Sequence, residues 1–511
     1  MASERVVVIG AGIGGLACAI DLAAAGLSVV VVERAAGPGG KMCELEVAGA
    51  RIDTGPTVMT LRRVFDDLFE TAGAKLADYV TLHPMDLLAR HAWRDGTSLD
   101  LFADEDASEA AIGAFAGKDN ALGYRRFRQA SQAIFETLDQ SFLHRPLTGP
   151  VGLSARIGLS HLHRLHAIRP FTTLWDALGE FFPDPRLQQL FGRYATYCGS
   201  SPFQAPATLM LIAHVEQAGV WTVAGGMQRL ADGLERLAKS LGVTFHYGCA
   251  AERVLTRRGR ACGVRLADGN ALSADAVVVN ADADALPRSP NGRAAPPPGQ
   301  ASLSALTWAV TAEPSGLALS RHNVFFSDDY ADEFKDLFGR GKIPRQPTVY
   351  ICAQDRDGEA SAPTGPERLF LLINAPALKG LAPDDAAPMT DPELRQCETQ
   401  LSHHLHLCGL DLKITPHQAR VTTPLDFAQR FPLTGGALYG RATHGWAAAF
   451  QRRSARTPTP RLYQAGGGAH PGAGVPMAAL SGRLAAHQLI LDLSSTRRFH
   501  PVAIAGGMST V

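Results

Sequence analysis

A chain of 511 residues is longer than one hydrophobic core normally serves, so about two to four units are expected, tandem or interleaved. Apolar residues make up 46% and charged residues 19%, which excludes a disordered chain, and a formal net charge of zero removes the electrostatic case for nucleic acid as a partner. The eight cysteines form no Cys-x-x-Cys pair and no zinc-ligand spacing; they read as reduced, mostly buried thiols, and no metal site is expected.

The opening residues run straight into an apolar strand, Val6-Val7-Val8-Ile9, with no secretory leader pattern before it. A helix follows with Leu16, Ile20 and Ala23 on one face, and Gly26 stands where a C-terminal cap belongs. Val29–Val32 is a second strand, completing a βαβ opening. Asp21 interrupts the best candidate for a membrane span, so a cytoplasmic protein is expected. Between strand and helix stands Gly10-Ala11-Gly12-Ile13-Gly14-Gly15, a Gly-x-Gly-x-x-Gly turn. Gly10 permits the tight turn, Gly12 admits a pyrophosphate to the backbone, and Gly15 lets the helix pack on the strand, its N-terminus facing the phosphates. Glu33 closes the second strand where a carboxylate binds the two ribose hydroxyls, a position that disfavours a 2′-phosphate. Arg34 follows it, and then a second glycine cluster, Gly37-Pro38-Gly39-Gly40-Lys41.

From about 85 to 210 the chain reads as helical, with many aromatic residues. Between Ser141 and Trp175 there is no Asp or Glu, while four arginines and four histidines alternate with Leu, Ile and Phe. That pattern fits either an ordinary solvated face or a surface lying on anionic lipid. His161, His163 and His166 do not read as a metal site, since helical residues two apart face different ways. A helix over Gln228–Leu241 leads into short strands with turn signals at Arg258-Gly259 and Asp268-Gly269, and then a buried strand, Ala276–Val279. A proline-rich stretch near 287–298 marks a boundary. The closing segment returns to strand, glycine loop and helix, with Gly466-Gly467-Gly468-Ala469-His470-Pro471-Gly472-Ala473-Gly474-Val475-Pro476 before Met477, Leu480, Leu484 and Leu491 on one helix face. The expected fold is α/β. A Rossmann-like dinucleotide domain is assembled from 1–84, 215–290 and 425–495. An α+β substrate domain with a helical, membrane-facing part is inserted as 85–214 and 300–424, and a tail covers 496–511.

The closing loop resembles the Gly-x-x-x-His-Pro-Gly-x-Gly-x-Pro motif of phytoene-desaturase-type carotenoid and retinoid flavin oxidoreductases. The likeness continues through Gly37–Lys41, Asp53-Thr54-Gly55-Pro56-Thr57-Val58, Gly225-Gly226-Met227, Val278-Val279-Asn280-Ala281-Asp282 and Leu438-Tyr439-Gly440, in the family's order along the full chain. The run from Asp53 to Phe65 is most similar to the 1-hydroxycarotenoid 3,4-desaturases, or methoxyneurosporene dehydrogenases, of purple bacteria. The resemblance implies FAD as cofactor and a carotenoid as substrate. It places Gly10, Gly12, Ile13, Gly14 and Gly15 at the pyrophosphate, Glu33 and Arg34 at the adenosine ribose, Gly40 and Lys41 beside it, and Val254 at the adenine through its backbone. Gly55, Pro56, Thr57, Gly467, Gly468, Gly474, Val475 and Met477 would surround the flavin ring, the closing helix lending it partial positive charge. Ala469 replaces a threonine found in many relatives, so no hydroxyl beside His470 is assigned to the flavin. His470 is a candidate base by position, with packing or a backbone hydrogen bond as the alternative, and no catalytic residue is assigned. A membrane-dissolved polyene implies peripheral association with the inner membrane. The electron acceptor, oxygen or quinone, stays open, as do phytoene desaturation, carotene isomerisation and amine oxidation as other reactions.

Overall fold

The computed structural model describes residues 4–158, 165, 167–281, 300–356, 363–378 and 388–498. Five parallel strands form a sheet in the order Thr244–His246, Ser28–Val32, Arg5–Ile9, Ala276–Val279 and Leu462–Gln464. Its central strands are consecutive valines because both faces are covered: Val6, Val7 and Val8 have no exposed surface. Helices Ile13–Ala24, Gln228–Ser240 and Val475–Arg498 cover one face. The antiparallel strands Ala251–Arg257, Arg260–Leu266 and Ala271–Ser273 cover the other. Arg258 and Gly259 both adopt positive φ, 52° and 74°, as a two-residue hairpin turn requires. Gly26, at φ 83°, ends the first helix, its amide donating to Ala23 O.

The first and last helices meet backbone to backbone. A Cβ built on Gly482 would stand 2.0 Å from Gly14 O, and one on Gly14 would stand 2.9 Å from Ala478 O. Arg483 adds an ion pair to Asp21 at 3.1 Å. This contact corrects the expected face of the closing helix. Leu491 is 49% exposed, and the buried stripe is Ala479, Leu480, Ala485, Ala486, Leu489 and Leu493. Small residues set the interface because only they allow so close an approach, whereas a reading by bulky side chains follows the wrong stripe.

A second sheet has seven strands, in the order Ala419–Thr422, Ser304–Ala312, Glu367–Ala375, Val349–Ala353, His322–Phe325, Leu87–Ala92 and Ser98–Phe102. Helix Asp391–Leu407 packs on one face through Leu401 and Leu405. The last two strands correct the expectation of a helical segment from about 85. They form a hairpin about Asp95-Gly96, a turn signal in its own right, and helices begin only at Glu105. From there to Gln217 a helical layer with its own aromatic core stands over the sheet's other face. Gln354 ties this sheet to the loop that follows strand Ala50–Asp53: its side-chain amide accepts from Asp53 N at 3.0 Å and donates to Asp53 O at 2.8 Å. All eight cysteines are free thiols; Cys18, Cys352 and Cys408 are buried and the other five half-buried. Among the described residues no helix is long and apolar enough to cross a membrane.

Gly482→Ala should cost about 1–3 kcal/mol, as overpacking does, although alanine is the better helix former. A urea denaturation midpoint equal to or above that of the unsubstituted protein would show that the helices are not in such contact.

Candidate functional site

The two glycine loops face one cavity. Gly10, Gly12, Ile13 and Gly14 from the opening turn line it, as do Gly467, Gly468, Gly474, Val475 and Met477 from the closing one. Asn280, at the end of the strand between them, is the spacer. Its Nδ2 donates to Gly10 O at 3.3 Å, and its Oδ1 lies 2.7 Å and 2.9 Å from where Cβ atoms of Gly14 and Gly466 would be. Any side chain at these glycines would push the loops apart. Asp282, the last residue of the Asn280 motif, lies outside the described residues.

The opening turn has the features of an anion cradle. Gly12 is the N-cap of helix Ile13–Ala24 and no side chain caps that helix, so its first amides are left for a ligand. Gly39 N donates to Ala11 O at 2.9 Å, and a Cβ on Gly40 would stand 3.1 Å from Gly12 Cα, so the second glycine cluster forms the cradle's far rim. Glu33 is buried; its Oε2 accepts from Ala11 N at 2.7 Å and its Oε1 from Ala35 N at 2.8 Å, which fixes the carboxylate beside the cavity. Arg34, Gly40 and Lys41 line the same end, Lys41 donating to Leu438 O at 2.6 Å. These residues fit a dinucleotide: uncapped helix amides for a pyrophosphate, a fixed carboxylate for ribose hydroxyls, and no side chain in between. Gly15 is set back from the cavity, its missing Cβ 2.0 Å from Gly10 O, where helix and strand touch. Val254 is not brought to the cavity either. It pairs with Val264 and packs under the parallel sheet, while Cys249, Ala250, Ala251 and Glu252 line that end.

Gly55, Pro56 and Thr57 line the middle of the cavity. They are set by Asp53, whose carboxylate accepts from Met227 N at 2.7 Å and Gln228 N at 3.4 Å and so caps helix Gln228–Ser240. A Cβ on Gly226 would lie 2.5 Å from Asp53 Oδ2. The Asp53–Val58 and Gly225-Gly226-Met227 motifs are thus two halves of one junction. Burial raises the Asp53 pKa, against the lowering effect of those amides.

Past Thr57 the cavity runs between the seven-stranded sheet and the helical layer, walled by Leu101, Leu138, Phe142, Leu190, Leu209 and Ile212. The whole space measures about 1310 Å³, more than the about 300–1,000 Å³ of ordinary ligand pockets. Its wall also holds a polar cluster that sequence reasoning missed. Tyr350 Oη sits 2.6 Å from Thr57 Oγ1 and 2.7 Å from His322 Nδ1, and His322 Nε2 is buried without a partner among the described residues. Tyr194 donates to Glu216 Oε2 at 2.7 Å, and Arg193 to Tyr197 Oη at 3.1 Å. Burial pushes His322 down to about 3, so it is neutral at pH 7. The only sequence signal was the run Arg193-Tyr194-Ala195-Thr196-Tyr197, charged and aromatic within an otherwise apolar stretch.

His470 does not line the cavity. Its Nε2 faces two carbonyls, Phe142 O at 3.0 Å and Arg145 O at 2.9 Å, so that nitrogen carries the proton and donates. The packing alternative describes it: His470 pins the closing loop to the helical layer. His161, His163 and His166 lie outside the described residues. Among those described, no group of three His, Cys, Asp or Glu could hold a metal ion.

Residues 13–490 match the family described as flavin-containing amine oxidoreductase. The chain is 49% identical to the hydroxyneurosporene desaturase of Rubrivivax gelatinosus, over 99% of this chain and 97% of that one. It is 44% identical to the hydroxyneurosporene desaturase of Cereibacter sphaeroides, over 97% and 99%. In fold it is similar to a putrescine oxidase solved with putrescine, with a TM-score of 0.60 at 14% identity, over 96% of this chain and 99% of that one.

Burial pushes His470 down to about 4 from 6.5, so the folded state resists a proton that the unfolded chain accepts. Its contribution to stability is complete above pH 6.5 and is lost as pH falls toward 4. His470→Gln should therefore show a shallower fall in melting temperature than the unsubstituted protein between pH 7 and 4. Identical slopes would show that His470 is not held neutral.

Proposed function

The chain belongs to the flavin-containing amine oxidoreductase family, and within it we propose an FAD-dependent carotenoid desaturase that introduces the C-3,4 double bond into 1-hydroxy or 1-methoxy carotenoids such as hydroxyneurosporene. One observation carries this reading beyond the family: a dinucleotide cradle and a mostly apolar tunnel are a single continuous cavity. The cradle residues Gly10, Gly12, Ile13, Gly14, Glu33, Arg34, Gly40 and Lys41 would hold the adenosine and pyrophosphate of FAD, with Gly15 allowing the turn its shape. Gly55, Pro56, Thr57, Gly467, Gly468, Gly474, Val475 and Met477 would frame the ring. Cys249 to Glu252, in place of Val254, would flank the adenine.

When bound, FAD supplies the two-electron acceptor for hydride, while a proton leaves the neighbouring carbon. The protein's part is to position and to exclude water. A stiff polyene held in the apolar tunnel would present one bond to the ring and no other, and fixed orientation of this kind supplies much of the rate. Amine oxidation is disfavoured by the site itself. An alkylammonium would meet a like charge in Arg193, and the wall's acid, Glu216, is already bound to Tyr194, while the rest is dominated by Leu, Ile and Phe.

Exposed apolar residues near the cavity support contact with a membrane. Val151 is 84% exposed and Phe171 81%. Phe171 packs on half-exposed Trp446, a cavity-lining residue, with ring centroids 5.7 Å apart. Arg145, Arg156 and Arg169 belong to the same acid-free stretch. Exposed apolar residues among arginines suit a surface that rests on anionic lipid and takes a polyene from it.

FAD should raise the melting temperature of the purified protein, and Glu33→Ala should weaken FAD binding about tenfold or more by removing a charged hydrogen-bond acceptor. An apoprotein that FAD does not stabilise would count strongly against the cofactor. With FAD, liposomes and a panel of carotenes analysed by chromatography, a 1-hydroxy carotene should be dehydrogenated and phytoene left intact; the reverse pattern would replace the subfamily assignment with phytoene desaturation.

A further inference from the structure

An apolar tunnel has little reason to hold a guanidinium, yet Arg193 lines this one. It opens the short helical turn Arg193–Cys198, and its side chain is held by aromatic rings: Cζ lies 5.2 Å from the centroid of Tyr197 and 5.3 Å from that of Tyr350. Its one hydrogen bond within the described residues goes to Tyr197 Oη, and no carboxylate there comes into ion-pair contact with it. A guanidinium has five N–H donors, so several remain for a ligand. Aromatic faces offset only part of the cost of enclosing the charge. An acceptor oxygen on whatever fills the tunnel would complete it.

The position of Arg193 specifies which oxygen. Tyr350, on whose ring the guanidinium rests, hydrogen-bonds to Thr57 at 2.6 Å, and Thr57 belongs to the loop assigned to the flavin ring. Arg193 is therefore one aromatic residue away from the reacting end. In a 1-hydroxy or 1-methoxy carotenoid the oxygen on C-1 stands three bonds from C-3 and four from C-4, roughly 3–5 Å through space at about 1.5 Å per bond. With C-3 and C-4 against the ring, that oxygen falls beside the polar cluster. A hydroxyl and a methoxyl share only an acceptor lone pair, which a donor such as arginine reads and a carboxylate such as Glu216 does not.

We propose that Arg193 is the specificity-determining residue that donates a hydrogen bond to the oxygen on C-1, so that the oxygenated end of the polyene, and not a hydrocarbon end, is seated against the flavin. This rests on the desaturase reading above. Tyr197 and Tyr350 act as positioning residues that hold the guanidinium, and Glu216, bound to Tyr194, is near enough to feel its charge, although burial raises the Glu216 pKa. A site built to hydrogen-bond an oxygen strongly rejects the analogue that lacks it.

Full-length Arg193→Met, loaded with FAD and assayed in liposomes, keeps a stem of similar length between the rings and removes every donor. The expected result is FAD content and melting temperature near those of the unsubstituted enzyme, with KM for 1-hydroxyneurosporene raised at least tenfold. The inhibition constant of the parent hydrocarbon as a competitor should stay unchanged. Should Arg193→Met fail to fold, Arg193→Lys decides, with KM rising for the hydroxylated polyene alone because the shorter, more strongly hydrated ammonium is not held between the two rings at the oxygen. An unchanged KM in the folded variant, or equal losses for hydroxylated and hydrocarbon polyenes, overturns the role of Arg193. If the unsubstituted enzyme leaves 1-hydroxyneurosporene unconverted, the desaturase reading fails first and this inference with it.

Discussion

Two loops more than 450 positions apart in sequence must approach within backbone contact, and the rest of the site depends on that approach. Gly14 and Gly482 touch where the first and last helices cross, and Asn280 fills the one gap between the opening and closing turns. The parallel sheet makes this possible by placing Leu462–Gln464 two strands from Arg5–Ile9, with Ala276–Val279 between them. Each glycine is needed here for the volume it does not occupy. A methyl group at any of these positions would widen the crossing and, with it, the cleft that both loops line.

Asp53 imposes the same kind of constraint on the other wall. Its carboxylate caps helix Gln228–Ser240 while its backbone pairs with the amide of Gln354 in the second sheet. One residue thus fixes the loop Gly55–Thr57 against both units of the protein, at the point where cradle becomes tunnel. Because the carboxylate is buried and its neighbours are backbone amides, the junction has no side-chain freedom to absorb a change in register.

How far the sequence disclosed this follows from what each feature requires locally. The glycine turns, the valine strands and the Arg258-Gly259 hairpin were legible because each demands a particular backbone within a few residues. The face of the closing helix was misread because its contacts are Ala479, Ala485 and Ala486, which carry little weight in an apolar pattern. The hairpin about Asp95-Gly96 was overlooked amid aromatic residues that belong to helices further on. The polar cluster was invisible for a different reason. Thr57, Arg193, Glu216, His322 and Tyr350 come from five separate segments, and nothing near any one of them in sequence announces the others.

Charge in the tunnel then has to be reconciled with the reaction. Removing hydride from an uncharged polyene leaves positive charge growing on the substrate chain, which a bare guanidinium close by would oppose. Arg193 is not bare: the faces of Tyr197 and Tyr350, negative at their centres, lie against it, and Glu216 draws on it electrostatically. His322 and His91, which share the tunnel wall, are both held neutral by burial and add no charge of their own. The cation is thereby confined to one end of the substrate, where a hydrogen bond is wanted, and is muted along the polyene, where positive charge must form.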